Sequence, residues 1–123
     1  MLWPRFAVVI TPTLTLATSS SPTIGGWDPK TFKIPDDVNA QIDQAFANVD
    51  LALKAAGGKG WSQVYSVRSY HLPLDEDATS AMVRNFQQWC GPEHRPIWTE
   101  IGVAKLGLES MRVEIEVEAF LGE

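Results

Sequence analysis

With 123 residues, the chain suits one compact domain that buries roughly two-thirds of the surface exposed by its unfolded form. It is 45% hydrophobic and 20% charged, with no repeat or low-complexity tract, which excludes disordered and fibrous classes. Fifteen acidic against ten basic residues leave a net charge of -5, which argues against a surface built to neutralise nucleic-acid phosphates or anionic lipid. A small-molecule ligand is the expectation, with no nucleic acid and no membrane as partner.

The first twenty-four residues are read as an atypical N-terminal segment, and 25–123 as the single folded domain. Phe6-Ala7-Val8-Val9-Ile10 follows Arg5 and has some of the look of a secretory leader. At five residues it falls short of a leader's apolar core and far short of a membrane span. Ala7 to Ile10 is instead read as a further strand, and the expected location is cytoplasmic rather than secreted or mitochondrial. Gly25-Gly26-Trp27-Asp28-Pro29 is a loop signal.

From Asp36 the pattern turns helical. Val38, Ile42, Phe46, Val49 and Leu53 recur on a 3.6-residue period, while Asn39, Gln41, Asp43, Gln44, Asn48 and Asp50 fill most of the opposite side. Asp36 and Asp37 supply oxygen acceptors for the first free amides, and Gly57-Gly58 ends the helix. Trp61 to Leu72 alternates as a strand, with Val64, Ser66, Arg68 and Tyr70 on one face and Tyr65, Val67, Ser69 and His71 on the other. Pro73 stops it.

Asp75 to Trp89 resumes helical spacing through Ala78, Met82, Phe86 and Trp89, and Cys90-Gly91-Pro92 closes it. Ile97 to Leu106 and Met111 to Leu121 read as strands joined by Gly107-Leu108-Glu109-Ser110, a length suited to a hairpin. The fold class is therefore α+β, a mixed sheet with two helices packed on one face.

The chemistry-bearing residues are few. Cys90 is the only cysteine, which rules out an intrachain disulfide and suits a reducing compartment; beside Trp89 at a helix end it reads as a packing residue. His71 and His94 lack metal-ligand spacing, and Gly57-Gly58-Lys59-Gly60 lacks the Ser/Thr of a phosphate loop, so neither metal nor cofactor is expected. Glu114, Glu116 and Glu118 alternate and share one strand face. On composition alone that is a solvated face.

From Gly25 to Glu123 the chain resembles the RidA (YjgF) family, in a pattern associated with its fungal-like subgroup. The resemblance rests on Gly25-Gly26-Trp27-Asp28-Pro29, Ala45-Phe46-Ala47-Asn48-Val49, Leu53 with Ala55-Ala56-Gly57-Gly58, Arg95-Pro96-x-Trp98-Thr99, Gly102-Val103-x-x-Leu106 and Val113-Glu114-Ile115-Glu116. It implies a RidA/chorismate-mutase-like fold and a homotrimer with ligand clefts between subunits. It also implies hydrolysis of reactive enamines and imines, such as 2-aminoacrylate, to keto acids and ammonia.

Family members grip the substrate carboxylate with an arginine, keep a cysteine nearby and support a water with a glutamate, which Glu114 matches. Trp98 stands in the arginine's place and Glu100 in the cysteine's. An arginine fork offers paired donors, whereas indole offers one N–H and a ring face. Glu100 would repel an anion by roughly 4 kcal/mol at 4 Å and an effective dielectric near 20. Arg95 is the candidate replacement cation, otherwise a surface ion-pair partner. The expected site is thus Glu114 and Glu100 for catalysis, with Trp98 and Arg95 binding substrate. The competing readings are a non-catalytic trimeric metabolite-binding or scaffold protein and, third, an endoribonuclease.

Overall fold

The computed structural model of the chain describes residues 8–11, 14–16 and 24–120. Arg5, Phe6, Ala7 and Leu121, which carried parts of the sequence reading, lie outside them. Six strands and two helices follow in the order β1 (Val8–Thr11), β2 (Leu14–Leu16), β3 (Ile24–Gly25), α1 (Val38–Ala55), β4 (Val64–His71), α2 (Glu76–Cys90), β5 (Ile97–Gly102) and β6 (Val113–Phe120). The α+β class with a mixed sheet and two helices is the one expected.

Both helices begin where the acidic caps place them. Asp37 accepts from the Ala40 amide at 3.0 Å, and Asp75 from the Ala78 amide at 2.9 Å. Gly57 and Gly91, just past the two ends, take the left-handed φ of 93° and 74° that glycine adopts without a Cβ clash. Along α1, Ile42, Phe46, Val49 and Leu53 are fully buried.

The polar side of α1 departs from the sequence reading, because Gln41, Asn48 and Asp50 are buried too. Each satisfies backbone groups that a neighbouring loop would otherwise bury without partners. Gln41 donates to the Pro35 and Ser110 carbonyls and accepts from the Arg112 amide. Asn48 donates to the Gly25 and Trp27 carbonyls at 3.0 and 2.7 Å. Gly26 packs so closely on the Gln41 carbonyl that a Cβ there would collide with it. Asp50 accepts from the Trp61 amide and pairs with Lys54.

Those contacts also correct the start of the first long strand. Trp61–Gln63 forms a short 3-10 turn, because the Trp61 indole N–H is held by the Phe46 carbonyl at 2.9 Å while its ring stacks on Phe46. A bulge between Val64 and Ser66 then shifts the alternation. Val64 joins Val67, Ser69 and His71 on the buried face, and Tyr65 turns out to solvent.

The expected hairpin between the last two strands is not formed. The path across the sheet is β2-β1-β6-β4-β5, so β4 lies between β5 and β6, parallel to the first and antiparallel to the second. Loop length was the hairpin signal, yet Leu106 and Met111 of this connection turn into the core instead of extending the strands. The connection is fastened over the end of β4 by Val103 N–H to the His71 carbonyl and Leu72 N–H to the Arg112 carbonyl. With Val113, Ile115, Val117 and Ala119 all buried, β6 is a central strand. Its second edge is shared by β3, opposite Glu114 and Ile115, and by β1, opposite Val117 to Phe120.

Candidate functional site

Strand register decides which candidate residues can meet. Residues opposite each other across a ladder share a face. Trp98 is paired with Val67 and Glu100 with Ser69, and Ser69 is paired with Ile115, so Trp98 and Glu100 face the helices. Glu114 is paired with Tyr70 and Gly25, on the other face. Within one chain the sheet itself therefore separates Glu100 from Glu114.

On the helix-free face, Glu116 accepts from the Tyr70 hydroxyl at 2.8 Å, and Glu118 from the Tyr65 hydroxyl at 3.1 Å. Burial, with the Glu116 carboxylate beside it, raises the Tyr70 phenol above its ordinary value. The Arg68 guanidinium is 3.9 Å from Glu116. Glu114 is half-buried, and its Oε1 accepts from the Gly107 amide at 3.3 Å, so the connection between β5 and β6 orients it. Ile97, 71% exposed, and Phe120 give this face exposed apolar area as well.

On the helix face, Trp98 and Arg95 line one groove between the C-terminal half of α2 and the start of β5. Its volume is about 470 Å³, and Phe86, His94 and Pro96 complete the walls nearest them. Phe86 and Trp98 pack with ring centroids 5.0 Å apart. Arg95 is exposed, and among the described residues it has no ion-pair partner. His94 donates through Nε2 to the Val64 carbonyl at 2.6 Å, which leaves Nδ1 as its second polar atom.

The Trp98 indole N–H is not open to a ligand, because it already donates to the Ser69 hydroxyl at 2.9 Å. What Trp98 presents is its ring. Behind it runs a buried polar seam that sequence inspection did not assemble. Ser69 Oγ lies 2.8 Å from His71 Nε2, His71 Nε2 lies 3.6 Å from Glu100 Oε2, and Glu100 Oε1 accepts from Thr79 at 2.9 Å. Burial raises the Glu100 carboxyl and pushes the His71 imidazole down to about 4.

This seam is not a serine-nucleophile triad. Ser69 is fully buried, the carboxylate approaches the same imidazole nitrogen as the hydroxyl, and among the described residues Nδ1 has no partner. The one clue in the sequence was two polar residues, Ser69 and His71, alternating with Val67 on one strand face. Cys90, partly buried, has its thiol pushed up to about 11 by desolvation, the opposite of an activated nucleophile. Among the described residues no cluster of three or more His, Cys, Asp or Glu could hold a metal ion.

The sequence profile of the family described as Endoribonuclease L-PSP matches residues 10–121. The chain belongs to that family. No protein with a curated description matches it. Solved structures share its fold. A conserved Rid-family protein of unknown function from Yersinia pestis is 23% identical with a TM-score of 0.69, over 77% of this chain and 71% of that one. The YjgF gene product of E. coli is 23% identical at 0.67, over 79% and 75%. E. coli TdcF, solved with bound serine, is 22% identical at 0.67 over the same shares. Membership in the L-PSP family supports a small-molecule-binding or imine-deaminase kind of function. No described helix is long and apolar enough to cross a membrane.

Proposed function

We propose that this L-PSP family chain is a RidA-like small-molecule-binding subunit whose ligand lies in the groove between α2 and β5. The observation that carries the reading is the meeting of Trp98 and Arg95 on one concave surface of ligand-pocket size, an exposed guanidinium beside an aromatic wall. Such a groove suits a small anion with a flat or apolar body: the guanidinium takes the charge and the rings take the body. The protein is cytoplasmic in this reading, consistent with a single thiol in no disulfide.

Titration of benzoate, followed by tryptophan fluorescence, tests the groove. Arg95→Gln should weaken binding about tenfold, the loss of one charge-assisted hydrogen bond. Equal affinity in the variant and the parent overturns the assignment.

A second reading, enamine or imine hydrolysis, is favoured by Glu114, whose carboxylate is fixed by a loop amide on the face without helices. There it would hold the water that adds to the imine carbon, giving a carbonyl and ammonia. A neighbouring copy would have to complete that site, which the homotrimer supplies, and Glu100, with its raised pKa, would then serve a site on the other face. Because the family's arginine and cysteine positions hold Trp98 and Glu100, 2-aminoacrylate generated in a coupled assay should decay at the rate seen without protein. Acceleration that disappears in Glu114→Gln would establish the enzymatic reading instead. The trimer is checked by sedimentation equilibrium, with an expected mass three times the 13.6 kDa of one chain. A single-chain mass removes any site shared between subunits.

A further inference from the structure

The helix-facing side of β4 buries Val64 and Val67, yet it also carries Ser69 and His71, both fully buried. Buried polar groups persist where they satisfy one another. Here the hydroxyl of Ser69 is the hub, since it receives the Trp98 indole N–H at 2.9 Å and lies 2.8 Å from His71 Nε2. Indole has one donor and no acceptor, so this is the single hydrogen bond Trp98 can make through its side chain. The Ser69 hydroxyl has one proton and two lone pairs, and the imidazole beside it fixes how they are shared. On the far side, Glu100 Oε1 accepts from Thr79 of α2, while Glu100 Oε2 lies 3.6 Å from His71 Nε2 with no hydrogen bond among the described residues.

We propose that Ser69 is a positioning residue of the groove: its hydroxyl, oriented by His71, holds the Trp98 indole by Nε1 so that the ring stays packed on Phe86 and walls the groove. The inference rests on the groove reading above and extends it to a residue that cannot touch a ligand. A serine that merely filled space would change stability when replaced, and nothing about Trp98. A positioning serine acts through Trp98, so its effect on ligand binding vanishes once the indole N–H is gone.

The test is a cycle of Ser69→Ala, Trp98→Phe and the double variant, read by NMR on 15N-labelled full-length protein and by benzoate titration. Trp98→Phe identifies the Trp98 indole signal by its loss. Ser69→Ala is expected to speed exchange of that indole proton with solvent at least tenfold and to weaken its contacts with Phe86, while Ser69→Thr restores both. Benzoate affinity should fall several-fold in Ser69→Ala but not further in the double variant than in Trp98→Phe.

If Ser69→Ala lowers the melting temperature yet leaves the indole proton and its Phe86 contacts as they were, the proposal is overturned. If Trp98 loosens as expected but benzoate perturbs no signal in any variant, the groove reading fails while the hold of Ser69 on Trp98 stands. Should Ser69→Ala not fold, Ser69→Cys keeps the volume with a weaker acceptor and is judged by the same signals.

Discussion

Replacing Phe46 with alanine should remove about 3–5 kcal/mol of folding stability, a large part of what a domain of this size possesses. The ring is fully buried on α1 and touches two other elements at once. It stacks on Trp61 with centroids 4.6 Å apart and meets Phe86 of α2 edge-on at 5.2 Å. Trp61 cannot slide into the space, because its indole N–H is held by the Phe46 carbonyl. Since the neighbours are fixed by hydrogen bonds and by each other, the cavity would stay largely open, and the cost belongs near the top of the range. Leu51, on the same helix but 53% exposed, is the control, and its replacement with alanine should change stability by no more than about 0.5 kcal/mol. Urea unfolding of the two variants checks both values. Equal losses would mean that the aromatic column is not where the stability lies. Because Phe86 continues the column to Trp98, Phe46→Ala should also weaken benzoate binding in the groove.

The sequence made the helices legible because one period governs each of them, and the acidic caps and closing glycines agree with it. It was less informative wherever a partner lies far along the chain. Gln41, Asn48 and Asp50 look like solvent-facing helix residues until the loops around Gly25, Trp61 and Ser110 are folded against them. The hairpin expectation failed for the same reason, since a loop length says that two strands can be neighbours and not that β4 lies between them.

At the candidate site, Arg95 and Trp98 are close in sequence and reach the same groove. Glu100 and Glu114 are parted by a parity that only the register of β4 against both neighbours fixes. The polar seam was half legible. Ser69 and His71 were on one face of an alternating strand, but what they bond to comes from α2 and β5.

The seam makes folding stability depend on acidity with a sign that follows from burial. His71 is fully buried, and desolvation, offset in part by the Asp75 carboxylate, lowers its pKa from 6.5 to about 4. Between those values the unfolded chain takes up a proton at His71 and the folded chain does not, so stability falls as pH falls from 6.5 and levels off near 4. The full extent of this loss is about 3 kcal/mol. Glu100 acts in the other direction. Its carboxyl is raised by burial, with the Thr79 hydroxyl opposing, so its contribution is present below its ordinary 4.5 and is lost as pH rises through the folded value. The two effects overlap in the parent protein, and variants separate them. Urea unfolding of His71→Gln, which cannot take up the proton but keeps a donor for Ser69, should lose up to about 3 kcal/mol less than the parent between pH 7 and pH 4. In Glu100→Gln the fall toward acid should instead be steeper, because the opposing carboxyl is gone. If the parent and His71→Gln give parallel curves across that range, the imidazole is not held neutral by its burial, and another group governs the acid limb.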